Sequence, residues 1–403
     1  MVQFRRQDNA HWYHETQRSG GVLAAQVADE SDTTNSGNIG NPYQSSAPLE
    51  QGIFLLCLAN DIPLALTHTL QHYSAILSAS DAMYLALFPP VIELNRENTF
   101  SLYDRLSSAL TVAQVTGIQR LCSHYAARLT PLSSPDASRE SNMRLTQITQ
   151  FARQLASQPT LIDRHALQQL AEVGLTDADI IVLSQIIGFV GFQARVVAGF
   201  SAQAGYPTVM LPGFPRMEDA PPAPLSDSEP QWQGWLPSLA PNDAIATEDI
   251  PAASELTLNE LLSHHQESLH AYSAIAAQLD NAERVPADWQ EWVSLASARI
   301  NGSRYCQARH QHNLQQLTGD SALLAALQTG IGQALAVQPT EQIPHQLISV
   351  TAELTRAPER FGHQHISPLR AMGLSDKQLL GIIFSAASAG WTNRLRHTLG
   401  QRV

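Results

Sequence analysis

Apolar residues along this chain recur mainly at spacings of three and four, and almost no stretch alternates between apolar and polar positions. Spacings of three and four residues place side chains on one face of an α-helix, whereas alternation would place them on one face of a strand. The clearest runs are "GLTDADIIVLSQIIGFVGFQARVVAGFSAQAG" and "TLNELLSHHQESLHAYSAIAAQL", and both contain residues that can cap a helix. The pattern therefore predicts an all-α fold.

Two stretches without this periodicity divide the chain. Residues 1–49 contain "DESDTTNSGNIGNPYQSSAP", which has almost nothing to bury, so we expect a mobile N-terminal segment. Residues 207–254 contain repeated prolines, which exclude a long helix. We expect this linker to lie against one of the domains, because its tryptophans in "QWQGW" would otherwise be exposed to water. The predicted helical domains are residues 50–206 and residues 255–403.

The two helical domains repeat short patterns at one offset. "HYSAIL" and "AYSAIA" share Tyr73 and Tyr272, an offset of 199 residues (272 − 73). The same offset relates a second set near the end of each domain, Gly174, Leu175, Asp177, Gly191 and Arg195 with Gly373, Leu374, Asp376, Gly390 and Arg394. One offset at both ends of such a long segment predicts a tandem duplication of one helical unit.

Each copy of the second set combines a helix start with a late arginine. We expect the Thr176 and Ser375 hydroxyls to cap the helices that follow them, with an aspartate in each first turn. Arg195 and Arg394 lie late in those helices. A cation there is expected to extend its charged head out of the core, and pairing with a carboxylate near an active cleft is the alternative.

Charge and composition limit the kinds of molecule that we expect this protein to bind. The 403 residues carry a formal net charge of -12, which argues against nucleic acid or an anionic membrane as the main partner. The N-terminus lacks the apolar core of a secretory signal, and we expect no uncharged apolar run of membrane-spanning length, so a cytoplasmic protein is predicted. Cys57, Cys122 and Cys306 are too few for a disulfide framework or a four-thiolate zinc site. Each is expected to be a free thiol.

The residues that carry chemistry concentrate in "EWVSLASARINGSRYCQARHQH". The Asn-Gly pair at 301–302 should end one helix, and Ser303 should cap the next, with Cys306 at its third position. A helix N-terminus lowers the pKa of a thiol, and His310 lies one turn further along the same face, where it can exchange a proton with the sulfur. The residues alone leave alternatives open: Cys306 as a packed hydrophobe, Ser303 as a cap only, and Glu291 as an exposed charge.

No metal or cofactor site is predicted. The histidines occur close together, but no carboxylate or thiolate accompanies them at a spacing that compels a metal site. They are His264, His265, His270, His312, His363 and His365. The chain also lacks a Gly-rich phosphate loop and any haem or flavin signature.

The same stretch resembles the active-site motif of the alkylhydroperoxidase D and carboxymuconolactone decarboxylase family. The peroxidase branch of that family carries a Glu, twelve residues later a Cys-x-x-Cys, and a His four residues beyond the second Cys. Glu291, Ser303, Cys306 and His310 fall on those four positions without a gap. The resemblance covers residues 255–403, and the N-terminal domain is similar to a degenerate copy, as in two-domain, peroxidase-related members.

The resemblance implies a thiol-dependent oxidoreductase that reduces a small-molecule peroxide. Cys306 would attack the peroxide and become a sulfenic acid, while Glu291 and His310 relay its proton. Ser303 stands where the family has its resolving thiol, so an external thiol reductant would be needed. Cys57 or Cys122 could replace it only if the fold brings one of them close. The family also implies a homo-oligomer.

The N-terminal domain is not expected to hold a second site. Aligning Gly117 with Gly302 places Leu106 opposite Glu291, and Cys122 falls one place out of step without a histidine four residues later. This domain is therefore predicted to be a structural partner.

Two other functions remain open at this point. One is a catalytically silent scaffold or regulatory protein that keeps the fold, and the other is decarboxylase or isomerase chemistry on a small organic acid. The peroxidase hypothesis predicts an accessible Cys306 of low pKa that reacts with sulfenic-acid probes after peroxide treatment. A scaffold requires only an ordinary thiol, and decarboxylase or isomerase turnover would survive Cys306→Ala.

Overall fold

The computed structural model describes 52–208, 216–224, 231–237, 257–279, 284–337 and 339–402. The segment 1–49, which the sequence predicts to be mobile, lies outside the described residues, as do parts of the linker 207–254. Residues 51–403 form one compact unit.

The described residues are mostly helical, which confirms the all-α prediction. The helices that precede the linker are α1 Leu64–Gln71, α2 Ser74–Leu87, α3 Leu102–Thr116, α4 Gln119–Leu129, α5 Arg139–Ser157, α6 Arg164–Glu172 and α7 Asp177–Gln203. Those that follow it are α8 Leu258–Leu262, α9 Gln266–Leu279, α10 Ala287–Asn301, α11 Arg304–Leu317, α12 Ser321–Thr329, α13 Ile331–Val337, α14 Ile343–Arg356, α15 His363–Ala371 and α16 Asp376–Thr398. Two short strands, β1 Trp232–Gly234 and β2 Gly400–Arg402, pair antiparallel.

The predicted helix starts at α7 and α16 are confirmed. The Thr176 hydroxyl accepts a hydrogen bond from the Asp179 backbone amide, and the Ser375 hydroxyl accepts one from the Gln378 amide. In each case the side chain three residues on bonds back to the capping residue's own amide. These reciprocal bonds satisfy amides that the first helical turn cannot pair internally.

Helices α7 and α16 pack against each other at the centre of the molecule. Trp391 of α16 is 1% exposed, and its indole Nε1 donates to Gln185 Oε1 of α7 at 3.0 Å. Gly188 allows this approach, because a Cβ there would overlap the Trp391 ring. A Cβ at Gly199 would likewise lie 2.5 Å from Ile383 Cγ2. Glycines on α7 therefore set how closely these two helices can approach.

The order of elements after α3 is repeated after α10. A glycine with positive φ, Gly117 at 70° or Gly302 at 77°, joins two helices in each case. Each series then contains a further amphipathic helix, a 3-10 turn that begins with proline, a nine-residue helix and the long central helix. The second series contains α12 and α13 in addition.

Arg195 and Arg394 make equivalent contacts but do not extend out of the core, so that prediction is wrong. Their residues are 3% and 2% exposed. Arg394 Nη2 donates to Ala156 O at 2.9 Å, and Arg195 Nη2 donates to Thr355 O at 2.7 Å. These carbonyls end α5 and α14, where the negative helix terminus stabilises a cation. Burial lowers the pKa of Arg195 to about 10.

Helix α7 is the longest apolar helix among the described residues, although Asp179 and Arg195 bound its uncharged run. Its 27 residues have a most apolar window with mean hydropathy 1.8, so by length and composition it could cross a membrane. The whole of that window is buried inside the protein. Such burial is a property of the central helix of a folded domain.

His124 is expected to make the stability of the fold depend on pH. Arg128 donates to the Tyr84 hydroxyl, and a hydrogen bond of 2.6 Å joins that hydroxyl to His124 Nε2. Burial, with a contribution from Arg128, lowers the pKa of His124 to about 4. The unfolded chain binds this proton below about pH 6.5, so stability is lost as pH falls from there to 4, by roughly 3 kcal/mol.

Urea unfolding at pH 7 and pH 4.5 checks this prediction. His124→Gln should lose less stability between the two pH values than the parent protein does, because the buried neutral imidazole is gone. Exposed His165 provides the matched control, and His165→Gln should keep the parent slope. Equal pH slopes in all three proteins would contradict the assignment.

Candidate functional site

The turn between α10 and α11 places the candidate thiol. Helix α10 ends at Asn301, and Gly302 adopts a left-handed φ of 77°, which confirms the predicted break. A Cβ at Gly302 would also lie 2.5 Å from Thr160 Cγ2 and 2.9 Å from Ala220 Cβ. Ser303 occupies the N-cap position, and Cys306 is the third residue of α11, as the sequence predicts.

The Ser303 hydroxyl does not cap α11, which corrects one part of that prediction. Ser303 is 1% exposed, and its hydroxyl is hydrogen-bonded to Cys306. The hydroxyl is thus turned towards the sulfur, and the first amides of α11 receive no side-chain cap from it.

Cys306 is more buried than a reactive thiol was expected to be. It is 3% exposed, and burial raises the pKa of its thiol. The hydrogen bond from Ser303 and the positive charges of Arg396 and Arg309 act in the opposite direction without overcoming burial. The expectation of an accessible thiol of low pKa is therefore wrong for this structure, because loss of solvation outweighs the groups that favour the thiolate.

Glu291 and His310 form a hydrogen-bonded pair between α10 and α11. His310 Nδ1 lies 2.7 Å from Glu291 Oε2, and Asn313 Nδ2 donates to Glu291 Oε1 at 3.0 Å. Both members of the pair are half-buried. Burial acts to raise the pKa of Glu291, but the hydrogen bond and charge of His310 outweigh it and leave that pKa lowered. The carboxylate thus fixes the imidazole through Nδ1 and leaves Nε2 to accept a proton.

The structure brings the four motif residues together as two pairs. Ser303 contacts Cys306, and Glu291 contacts His310. Cys306 and His310 lie one helical turn apart on α11, and no hydrogen bond joins them among the described residues. Catalytic contacts of this kind are often long without substrate and shorten in the reactive complex. The role of Asn313 was not predicted from the sequence. Its position three residues after His310 on α11, which brings the two side chains close together, is the signal that could have indicated it.

Arg396 is a second residue that the sequence analysis missed. Its guanidinium carbon lies 4.7 Å from the centre of the Tyr305 ring and 4.8 Å from that of Trp232. Trp232 Nε1 donates to the Arg396 backbone oxygen at 2.8 Å, so the indole is fixed against the side chain that it covers. The linker residue Trp232 is buried, as the sequence predicts for this part of the chain.

A second piece of the linker lies against the end of α10. The Ala220 amide donates to Ile300 O at 2.9 Å, and Arg299 Nη1 donates to Ala220 O at 2.6 Å. Asp219 accepts two hydrogen bonds from Arg356 at 2.5 and 2.6 Å. The described linker residues therefore form part of the surroundings of the thiol turn.

The other candidate groups lie elsewhere. All three cysteines are free; Cys57 is exposed, Cys122 is half-buried, and burial raises the pKa of Cys122 to about 11. Leu106, which aligns with Glu291, is 1% exposed. In the part of the chain that the structure describes, no group of three His, Cys, Asp or Glu side chains could hold a metal ion.

Comparison of the chain with protein-family models gave no match, and comparison with curated proteins gave no significant match.

Proposed function

We propose that this protein is a thiol-dependent, alkylhydroperoxidase-like oxidoreductase that reduces a peroxide through Cys306. The observation that carries the proposal is the 2.7 Å hydrogen bond between Glu291 and His310, one helical turn from the thiol. A carboxylate that orients an imidazole next to a sulfur is an arrangement that supports proton transfer from the nucleophile.

In the proposed reaction the resting Cys306 is a protonated thiol. When a hydroperoxide enters, His310 Nε2 takes the thiol proton, and the sulfur attacks the outer peroxide oxygen. The oxygen–oxygen bond breaks, the sulfur becomes a sulfenic acid, and the departing alkoxide takes a proton from His310 to leave as an alcohol. Glu291 keeps Nδ1–H hydrogen-bonded throughout and stabilises the imidazolium that forms.

Ser303 determines how the cycle must close. A hydroxyl cannot condense with a sulfenic acid to give a disulfide, so an external thiol would attack Cys306 with loss of water. A second external thiol would then break that mixed disulfide and restore the free cysteine. The Ser303 hydroxyl remains as a hydrogen-bond partner of the sulfur.

Trapping the sulfenic acid tests the proposal directly. The full chain is treated with cumene hydroperoxide and then with dimedone, and the labelled peptide is identified by mass spectrometry. We expect the label at Cys306 with one alcohol released per thiol oxidised, and no alcohol release from Cys306→Ser. Cys57→Ser and Cys122→Ser are the controls and should label as the parent does. Absence of label at Cys306, or labelling of Cys57 alone, would contradict the proposal.

One observation favours a second candidate, which is proton-transfer chemistry on a small organic acid, of the decarboxylase or isomerase kind. Burial raises the pKa of Cys306, whereas the Glu291–His310 pair needs no thiolate to act as a base. This candidate predicts that turnover survives Cys306→Ala but not His310→Ala. A catalytically silent scaffold would show neither sulfenic acid nor turnover in the parent protein.

We also infer that the chain is a tandem duplication with a degenerate N-terminal copy. The reciprocal contacts support this inference, because Arg195 with Thr355 and Arg394 with Ala156 are related by the offset of 199 residues (394 − 195 and 355 − 156). We further propose that the protein is a cytoplasmic homo-oligomer and that it binds neither nucleic acid nor membranes.

A further inference from the structure

The surroundings of Cys306 are positively charged although the chain as a whole carries a net charge of -12. The charged groups that act on its thiol are Arg396 and Arg309, and both are cations. The nearest acid on the facing helix, Glu291, has both oxygens occupied by His310 and Asn313. Among the described residues neither arginine forms an ion pair with a carboxylate, although the charge of Arg309 also acts on Glu291.

Arg396 is fixed in place without an acceptor for its N–H groups. Its side chain lies between the rings of Tyr305 and Trp232, with Tyr305 directly before Cys306 on α11. Among the described residues, its guanidinium makes no hydrogen bond and no ion pair. A half-buried guanidinium has lost part of its hydration, so an anion that it binds gains a strong, charge-assisted hydrogen bond.

The indole over Arg396 is itself held by the backbone. Trp232 belongs to β1, which pairs with β2 next to the end of α16. Gly400 leaves room for the indole, since a Cβ there would lie 2.5 Å from Trp232 Cζ2. The aromatic support of Arg396 is therefore rigid, which is the condition for recognition at a defined position.

Arg309 adds an exposed cation that also acts on the Cys306 thiol. It lies three residues after Cys306 on α11, so the two side chains share one helix face, and it is exposed. Within the described part of the chain, its guanidinium has no hydrogen-bond or ion-pair partner. The charges of a half-buried cation and an exposed one thus act on a single thiol.

We propose that Arg396 and Arg309 form a carboxylate-binding subsite beside Cys306, so that the preferred peroxide is an organic hydroperoxide carrying a carboxylate. This inference rests on the proposed function for the chemistry of its substrate. The binding of a carboxylate does not depend on that function and can be measured by itself. The Arg396 guanidinium holds the carboxylate, and Arg309 attracts it and closes over it.

The binding arm uses 4-isopropylbenzoate as the probe and isothermal titration calorimetry as the measurement. The parent protein and Cys306→Ser should bind the probe with the same affinity. Arg396→Gln and Arg309→Gln should each weaken binding by about tenfold or more, because each removes a charge-assisted contact. Arg164→Gln changes an exposed arginine of α6 and should bind as the parent does. Thermal unfolding identifies a variant that fails to fold. If Arg396→Gln fails to fold, Arg309→Gln still tests the subsite, because Arg309 is exposed.

The kinetic arm compares cumene hydroperoxide with its para-carboxylate, which has the same peroxide group. The carboxylated substrate should have the higher kcat/KM, and Arg396→Gln should remove that preference through KM. If neither peroxide is reduced while 4-isopropylbenzoate still binds through Arg396, the proposed function fails and the subsite stands.

Two results would overturn the subsite as assigned. The first is that the parent protein does not bind 4-isopropylbenzoate, or that Arg396→Gln, Arg309→Gln and Arg164→Gln all bind it with the same affinity. The other is a carboxylate preference confined to the reductant, seen as faster reduction by 3-mercaptopropionate than by 2-mercaptoethanol with no preference between the peroxides.

Discussion

Trp391→Ala is expected to lower the free energy of unfolding by about 3–5 kcal/mol, as truncation of a fully buried tryptophan does. The indole fills the contact between α7 and α16 and packs edge-on against Phe189 and Tyr272. Its removal leaves a cavity and also removes the donor to Gln185 Oε1, which is buried. Urea unfolding followed by circular dichroism measures the loss.

Trp289 gives the matched control, because it is the same side chain on a neighbouring helix but only half-buried. Trp289→Ala should cost clearly less than Trp391→Ala. Gly188→Ala supplies a further check: alone it should destabilise by about 1–3 kcal/mol, since its methyl overlaps the indole. In the Trp391→Ala protein the methyl finds space, so the same change should be neutral or stabilising. Additive effects of the two substitutions would contradict this packing.

Local signals in the sequence predicted much of the fold. The hydroxyls of Thr176 and Ser375, and the Asn-Gly pair before Ser303, act through residues within a few positions of themselves, so they can be read without the fold. The burial of the Arg394 side chain could not be predicted from such local signals. Two of its acceptors, Leu155 O and Ala156 O, lie 239 and 238 residues away in sequence. A cation late in an apolar helix is compatible with solvent or with a buried helix end, and only the tertiary packing decides between them.

In the candidate site, too, some features follow from nearby residues and others depend on the tertiary fold. The family resemblance implied a shared proton-relay role for Glu291 and His310, and the two side chains are hydrogen-bonded across the turn between α10 and α11. The burial of Cys306 and the position of Arg396 depend on residues brought from β1, α9 and α16, which no local pattern connects to α11. For this reason the burial of Cys306 and the raised pKa of its thiol could not be predicted from the sequence.

His310→Ala and Glu291→Gln are expected to slow oxidation of Cys306 by cumene hydroperoxide by about a hundredfold to ten-thousandfold, the usual contribution of general acid–base catalysis. His310→Ala removes the group that takes the thiol proton, and burial keeps the pKa of that thiol high, so the loss is not offset by a resting thiolate. Glu291→Gln keeps the shape but no longer stabilises an imidazolium. The measurement is the single-turnover rate of sulfenic acid formation, which needs no reductant.

Asn313→Ala is the matched control for this prediction, because it removes the second hydrogen bond to Glu291 and leaves the carboxylate–imidazole contact intact. Its rate should fall by less than about tenfold. The pH dependence separates the roles further: the pKa of Glu291 is lowered, so its carboxylate stays ionised as the solution is acidified from neutral pH. Rates rise with pH as the thiol of raised pKa ionises, and above that pKa His310→Ala should approach the parent protein, since no proton remains to be removed. A deficit of His310→Ala that is the same at every pH would show that His310 does not act as the base.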